Sequence, residues 1–475
     1  MEITQNDDAR EQLALPEDFF FGAAMSGAQA EGGWNVDGKL ENMWDTWSNE
    51  DISAFHNRVG SYVGNDFMHR YHEDLTIFKN LGLDSFRTSI QWSRLLDIDG
   101  HLNERGAAWY HELFAAAREI GIEPFVTLYH FDLPTYLFRR GGWESRETCE
   151  AYAHYVRTAL TEFGGEIKYW FTFNEPIVEP ENRYEQGMWY PCLHDFRRAR
   201  ATQYNISIAH CLGVNCFREL QGKGVVRNDA RIGLVSNFSP SYTRENPSAA
   251  DLEAVRMNDG INNRWWLDLV TKGELPADVL ETLANGGVEL PVRPGDDAIL
   301  REGVVDWLGC NYYRPSRVQA PARAQDEYGN PVFADPYVWP EAVMNESRGW
   351  EMYPKGIYDF GMKCRDEYPE LEWFVSENGI GIEGEYLNRD EEGRVRDDCR
   401  IDFVHDHLAW IARAIKDGAL CRGYHYWALI DNWSWANAFK NRYGFIEVDL
   451  MQNYDRRPKR SADWLKGVVS SHIVA

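Results

Sequence analysis

The sequence predicts an α/β fold: one closed (β/α)8 TIM barrel over residues 1–475, a single domain with extended βα loops. Three observations predict it. Short runs rich in β-branched, aromatic and small residues recur eight times, as buried parallel strands require. Longer stretches with apolar residues at helical spacing separate them. Two glutamates stand at the downstream ends of the fourth and seventh runs, where a barrel carries its chemistry. Length alone would suggest about three domains. Barrels with inserted loops nevertheless run past about 400 residues as one unit, and no low-complexity linker or short repeat divides this chain.

In chain order the predicted strands are 19–24 (FFFGAA), 85–89 (SFRTS), 124–128 (PFVTL), 169–173 (YWFTF), 231–236 (RIGLVS), 305–310 (VDWLGC), 373–376 (WFVS) and 423–428 (GYHYWA). The clearest helical patterns between them cover 103–120, which ends at Gly121, then 148–163, and 402–417, which is followed by Gly418.

Composition narrows the partners. A formal net charge of −26 disfavours nucleic acid and anionic membranes. An anionic substrate would need local cations to overcome that field. The opening segment 1–10 lacks the basic start and apolar run of an export signal. No uncharged apolar stretch reaches the length of a membrane span, so a cytoplasmic location is expected. The eight cysteines (149, 192, 211, 216, 310, 364, 399 and 421) form no CxxC pair and are expected to be free thiols. Without an export signal, the sequons at Asn205, Asn237 and Asn345 are expected to be chance matches. Gly33-Trp-Asn-Val-Asp-Gly-Lys39 imitates a phosphate-binding loop, but Leu40 stands where a hydroxyl should ligate magnesium. His69 and His72 read as one helix face rather than a metal site. No cofactor and no metal is expected.

The two glutamates are Glu175, after YWFTF-Asn174, and Glu377, after WFVS. Strands four and seven lie across a barrel from one another, so both side chains can enter one pocket. A carboxyl pair suits glycosidic hydrolysis, where one group is protonated to assist the leaving oxygen and the other is ionised to attack the anomeric carbon. A lone glutamate after a strand more often caps a helix or pairs with an arginine. Two of them, each beside an asparagine at a strand end, favour catalysis.

Phe171-Thr-Phe-Asn-Glu-Pro176 and Val375-Ser-Glu-Asn-Gly379 resemble the acid/base and nucleophile motifs of glycoside hydrolase family 1. Phe19-Phe-Phe-Gly-Ala-Ala24, Gln29-Ala-Glu-Gly32, Phe86-Arg-Thr-Ser-Ile-Gln-Trp92, His130-Phe-Asp-Leu-Pro134, Asn311-Tyr-Tyr313 and Tyr426-Trp-Ala-Leu-Ile-Asp431 follow the family order. The resemblance covers nearly the whole chain and implies a (β/α)8 barrel with retaining β-glycosidase activity. It implies Glu175 as acid/base and Glu377 as nucleophile, the latter oriented by Arg87 and Tyr313. Gln29, His130, Asn174 and Asn311 are implied to bind the sugar. Trp427 would lie under its ring, Trp350 on the leaving-group side and Trp435 near the 4-hydroxyl.

The segment after the last strand bears on the substrate. Relatives acting on plain glucosides usually carry glutamate at the position of Ser434. In the 6-phospho-β-glucosidase-like branch that position is serine, and a lysine and a tyrosine further on complete a phosphate clamp. The chain offers Ser434, Lys440 and Tyr443, and the Glu-Gly-Gly-Trp34 stretch also resembles that branch. The branch lysine falls seven residues after the serine, where this chain has Asn441. On a loop the shift to Lys440 is absorbed; on a regular element it turns the side chain away. The expected substrate is therefore a small 6-phosphorylated β-glycoside, a disaccharide or aryl glucoside. The alternatives are a plain β-glucosidase or β-galactosidase, a transglycosylase, and a sugar-binding barrel without catalysis.

Overall fold

The computed structural model describes residues 13–474, so the reading of segment 1–10 lies outside the described residues. Eight parallel strands close a barrel in sequence order: β1 (Phe20–Ala24), β2 (Ser85–Ser89), β3 (Glu123–Thr127), β4 (Tyr169–Asn174), β5 (Arg231–Asn237), β6 (Trp307–Asn311), β7 (Trp373–Glu377) and β8 (Cys421–Trp427). Closure comes from β8 against β1, in register from Gly423 opposite Phe20 to Trp427 opposite Ala24. Every predicted run lies on one of these strands, with its ends displaced by no more than two residues.

The helices follow from their apolar faces. In α1 (Glu104–Glu119) the buried Ala107, Tyr110, Phe114 and Ala117 recur at three- and four-residue steps. Ser145 caps α2 (Arg146–Phe163) by accepting from Glu147 N at 3.2 Å. Asp195 caps the 27-residue α3 (Phe196–Gly222) in the same way, accepting from Arg198 N at 3.0 Å. The predicted helix at 402–417 is α4 (Asp398–Lys416), which begins four residues earlier than its apolar pattern.

An aromatic layer fills the lower barrel. Phe20, Phe125, Phe171, Trp307 and Phe374 pack with Tyr169 around His425, and the Trp307 and Phe374 rings stack 4.7 Å apart. Each buried aromatic stabilises the fold by about 1.5–3 kcal/mol. The plug closes the N-terminal end, so polar side chains at the upper strand ends face a cleft with one mouth. The eight cysteines are unpaired, six of them buried. No helix among the described residues is long and apolar enough to cross a membrane.

The look-alike motifs are absorbed by the fold. Lys39 is spent on Asp45, at 2.7 Å. His69 meets Asp66 at 2.6 Å, and His72 lies against Tyr71. Among the described residues no cluster of His, Cys, Asp and Glu could hold a metal. Glu31 of the Glu-Gly-Gly-Trp34 stretch is buried against Arg94, at 2.9 Å.

Candidate active site

Glu175 follows the last residue of β4 and Glu377 ends β7. Both line a cleft of about 580 Å³ at the C-terminal mouth of the barrel. Glu175 takes a left-handed backbone, φ 42°, and its N–H donates to Val235 O at 2.8 Å. Such a conformation costs about 1–3 kcal/mol in a non-glycine residue. Here it aims the side chain into the cleft. Gly379 serves β7 differently: a Cβ there would come 2.0 Å from the Trp427 carbonyl. Glycine thus lets the chain beyond Glu377 pass close to the end of β8.

The two carboxyl groups have unlike partners. Arg87 Nη1, on β2, donates across the barrel to Glu377 Oε1 at 2.6 Å, and Tyr313 Oη donates to Oε2 at 2.8 Å. Glu175 Oε1 receives one neutral donor, Asn311 Nδ2 at 2.9 Å. Desolvation raises the Glu175 carboxyl to about 8, and the charge on Glu377 adds to the effect. Burial raises Glu377 as well, but Arg87 and the Tyr313 hydroxyl oppose it. Glu377 therefore ionises first, and the proton of the pair stays on Glu175.

The supporting groups lock one another. Arg87 Nη2 donates to Asn174 Oδ1 at 2.6 Å and its Nε to Thr127 Oγ1 at 3.0 Å. Asn311 Nδ2 also reaches Asn174 Oδ1, at 3.1 Å, and Ser376 Oγ donates to Asn311 Oδ1 at 2.7 Å. That last bond fixes which end of the Asn311 amide faces the glutamate. Asn174 Nδ2 meets His130 Nε2 at 3.1 Å. Burial, and then the charge of Arg87, hold His130 well below the usual histidine range, so its ring is neutral.

Of the predicted sugar contacts, Gln29, His130, Tyr313, Trp350, Trp427, Ser434, Trp435 and Tyr443 line the cleft. Gln29 is oriented by donating to Trp433 O at 2.8 Å and accepting from Ser26 Oγ at 2.8 Å. Trp435 stacks on Trp44 at 4.5 Å. Asn174 and Asn311 are buried beside the cleft, where their side chains bond Arg87, His130 and Glu175.

Lys440 does not join the cleft. Residues 441–442 pair antiparallel with 382–383, and on an extended segment neighbouring side chains take opposite faces. Lys440 and Arg442 turn outward to a separate groove, Lys440 Nζ lying 3.5 Å from Glu383 Oε2. Asn441 and Tyr443 turn inward and are buried. The expectation that Lys440 completes a clamp with Ser434 and Tyr443 is corrected on that ground.

The structure adds residues that sequence reasoning missed. Arg314 and Arg348 are cations lining the cleft, with their guanidiniums 5.7 and 4.2 Å from the Trp350 ring. Arg400, on α4, donates to the carbonyls of Tyr443 and Ile380 at 2.8 and 2.9 Å. Lys459 Nζ donates to Asp431 Oδ1 at 2.9 Å, and the same oxygen accepts from Gly444 N at 2.8 Å. Together they pin both ends of the loop that carries Ser434 and Tyr443. Lone charged residues give no local signal of such a role.

Residues 11–473 match the family described as Glycosyl hydrolase family 1. The chain is 41% identical over 466 residues to the 6-phospho-beta-glucosidase GmuD of Bacillus subtilis, covering 96% of this chain and 98% of that protein. It is 34% identical to a 6-phospho-beta-galactosidase of Staphylococcus aureus, over 95% of this chain and 97% of that one. A solved family 1 β-glucosidase from Thermotoga maritima superposes with a TM-score of 0.87 at 30% identity, covering 98% and 100% of the two chains. The matching family, the closed barrel and the carboxyl pair in its mouth agree, and this chain belongs to glycosyl hydrolase family 1.

Proposed function

We propose that this glycoside hydrolase cleaves small 6-phosphorylated β-glycosides in the cytoplasm with retention of configuration, the whole chain acting as one catalytic domain. The observation that carries the mechanism is the unlike surroundings of Glu175 and Glu377 in one cleft: Arg87 and Tyr313 donate to Glu377, whereas Glu175 receives only the neutral Asn311 amide. Glu377, ionised beside Arg87, attacks the anomeric carbon. As the glycosidic bond breaks, Glu175 gives its proton to the leaving oxygen. The covalent glycosyl-enzyme keeps Glu377 bound through one oxygen. Glu175, now a carboxylate, takes a proton from water, whose oxygen displaces Glu377 from the opposite face. The two inversions leave the product with its original configuration.

The phosphorylated substrate class is supported by Ser434. Its side chain lines the cleft at the position where a carboxylate would repel a dianion. The similarity to relatives named for 6-phospho substrates points the same way. The placement of Lys440 favours a second reading, hydrolysis of plain β-glucosides, because the expected cation is spent on Glu383. Side-by-side kcat/KM values on p-nitrophenyl β-glucoside 6-phosphate and on p-nitrophenyl β-glucoside separate the two. A preference for the phosphate of about 100-fold, roughly 2.7 kcal/mol, supports the first reading. Comparable rates support the second.

A further inference from the structure

We propose that Arg348 is the phosphate-binding cation of this cleft, held in place by Asn441. The inference rests on the phosphorylated reading above and names the residue that delivers its selectivity. Asn441 occupies the inward-facing position two residues before Tyr443 and is buried. Its Nδ2 donates to Ser347 O at 3.0 Å, and its Oδ1 accepts from Arg348 Nη1 at 3.4 Å. An amide of that length cannot itself supply charge, but it ties a guanidinium to the cleft wall beside the Tyr443 loop.

The remaining edge of Arg348 is unspent. Nε has no acceptor and is shielded from solvent. No carboxylate among the described residues forms an ion pair with the guanidinium, although the chain has 75 acidic residues against 49 Lys and Arg. The guanidinium lies 4.2 Å from the centre of the Trp350 ring, which restricts its plane. Ser434 and Tyr443 line the same cleft, and their hydroxyls bond no other described residue. Two hydroxyls and one edge of a guanidinium are the donor set that a phosphate dianion takes, with a fork geometry that an ammonium lacks. Arg314, the other cation of the cleft, lies 5.7 Å from the same tryptophan ring but, among the described residues, makes no hydrogen bond to Asn441 or Tyr443.

The test compares kcat/KM on the two p-nitrophenyl substrates for the wild type, Arg348→Gln, Arg348→Lys and Arg348→Gln/Asn441→Lys. The expected result is that Arg348→Gln lowers the preference for the phosphorylated substrate by about 30-fold or more. Arg348→Lys retains part of the preference, and a lysine at 441 restores part of it to the Gln variant. Equal losses on both substrates in Arg348→Gln and Arg348→Lys would mean that Arg348 only packs against Trp350, which overturns the inference. A wild type that prefers the phosphate, with the preference intact in Arg348→Gln, also overturns it and leaves the phosphorylated reading standing. A wild type without the preference fails that reading first and removes the ground for this one.

Discussion

Asn311 and Tyr313, two residues apart at the end of β6, each hold a different member of the carboxyl pair: Asn311 Nδ2 donates to Glu175 at 2.9 Å and Tyr313 Oη to Glu377 at 2.8 Å. One short segment therefore sets the spacing of both groups. The inequality between them comes from Arg87, whose charge falls on Glu377 directly and reaches Glu175 only at longer range.

That inequality predicts a bell-shaped dependence of kcat/KM on pH. Activity rises as pH passes the ionisation of Glu377 and falls as Glu175 loses its proton near 8. In Glu377→Gln the neighbouring charge is gone, so the Glu175 carboxyl should titrate lower than in the wild type. Carbon-13 NMR of labelled glutamate reads this directly. An unmoved Glu175 titration would show that the two groups do not interact.

Removing the nucleophile should abolish turnover without abolishing binding. Glu377→Ala is expected to lose at least about 10⁴-fold in kcat. Azide added from outside should then restore cleavage of an activated aryl β-glycoside and yield the α-configured glycosyl azide. A β-azide would place the nucleophile elsewhere.

Glu175→Ala separates acid catalysis from everything else. General acid assistance contributes about 10²–10⁴-fold, and it matters most where the leaving group is a poor one. Alkyl glycosides should therefore lose far more than 2,4-dinitrophenyl glycosides. Equal losses across a leaving-group series would remove Glu175 from the role.

The loop behind the cleft yields a stability prediction. Lys459 is fully buried between Asp431 and Glu385. Lys459→Met leaves two buried carboxylates short of a partner, and breaking such a pair costs about 3–5 kcal/mol. Calorimetry should show a clear fall in Tm, smaller in Lys459→Arg. An unchanged Tm in the Met variant would contradict the assigned network.

Much of this was legible in the sequence, for local reasons. Buried parallel strands are short apolar runs, so all eight registered. Glu175 and Glu377 stood at strand ends inside distinctive motifs. What failed to register depended on pairing that sequence does not print. Lys440 faces outward only because 441–442 pair with 382–383, some 60 residues earlier. The bonds of Asn174 and Asn311 to Arg87, His130 and Glu175 likewise join residues far apart in the chain. Arg348 lies in the turn of a short hairpin whose strands, 344–345 and 350–351, are too brief to show a pattern, and only folding brings it to Asn441.

The most direct test of the central claim is covalent trapping. A 2-deoxy-2-fluoro β-glucosyl fluoride, as its 6-phosphate and in plain form, slows the second step so that the glycosyl-enzyme accumulates. Peptide mass spectrometry after digestion should find one added sugar, on the peptide containing Val375-Ser-Glu-Asn-Gly379 and fragmenting to Glu377. A label on any other residue, or inactivation without a label, would contradict the assignment of Glu377 as the nucleophile.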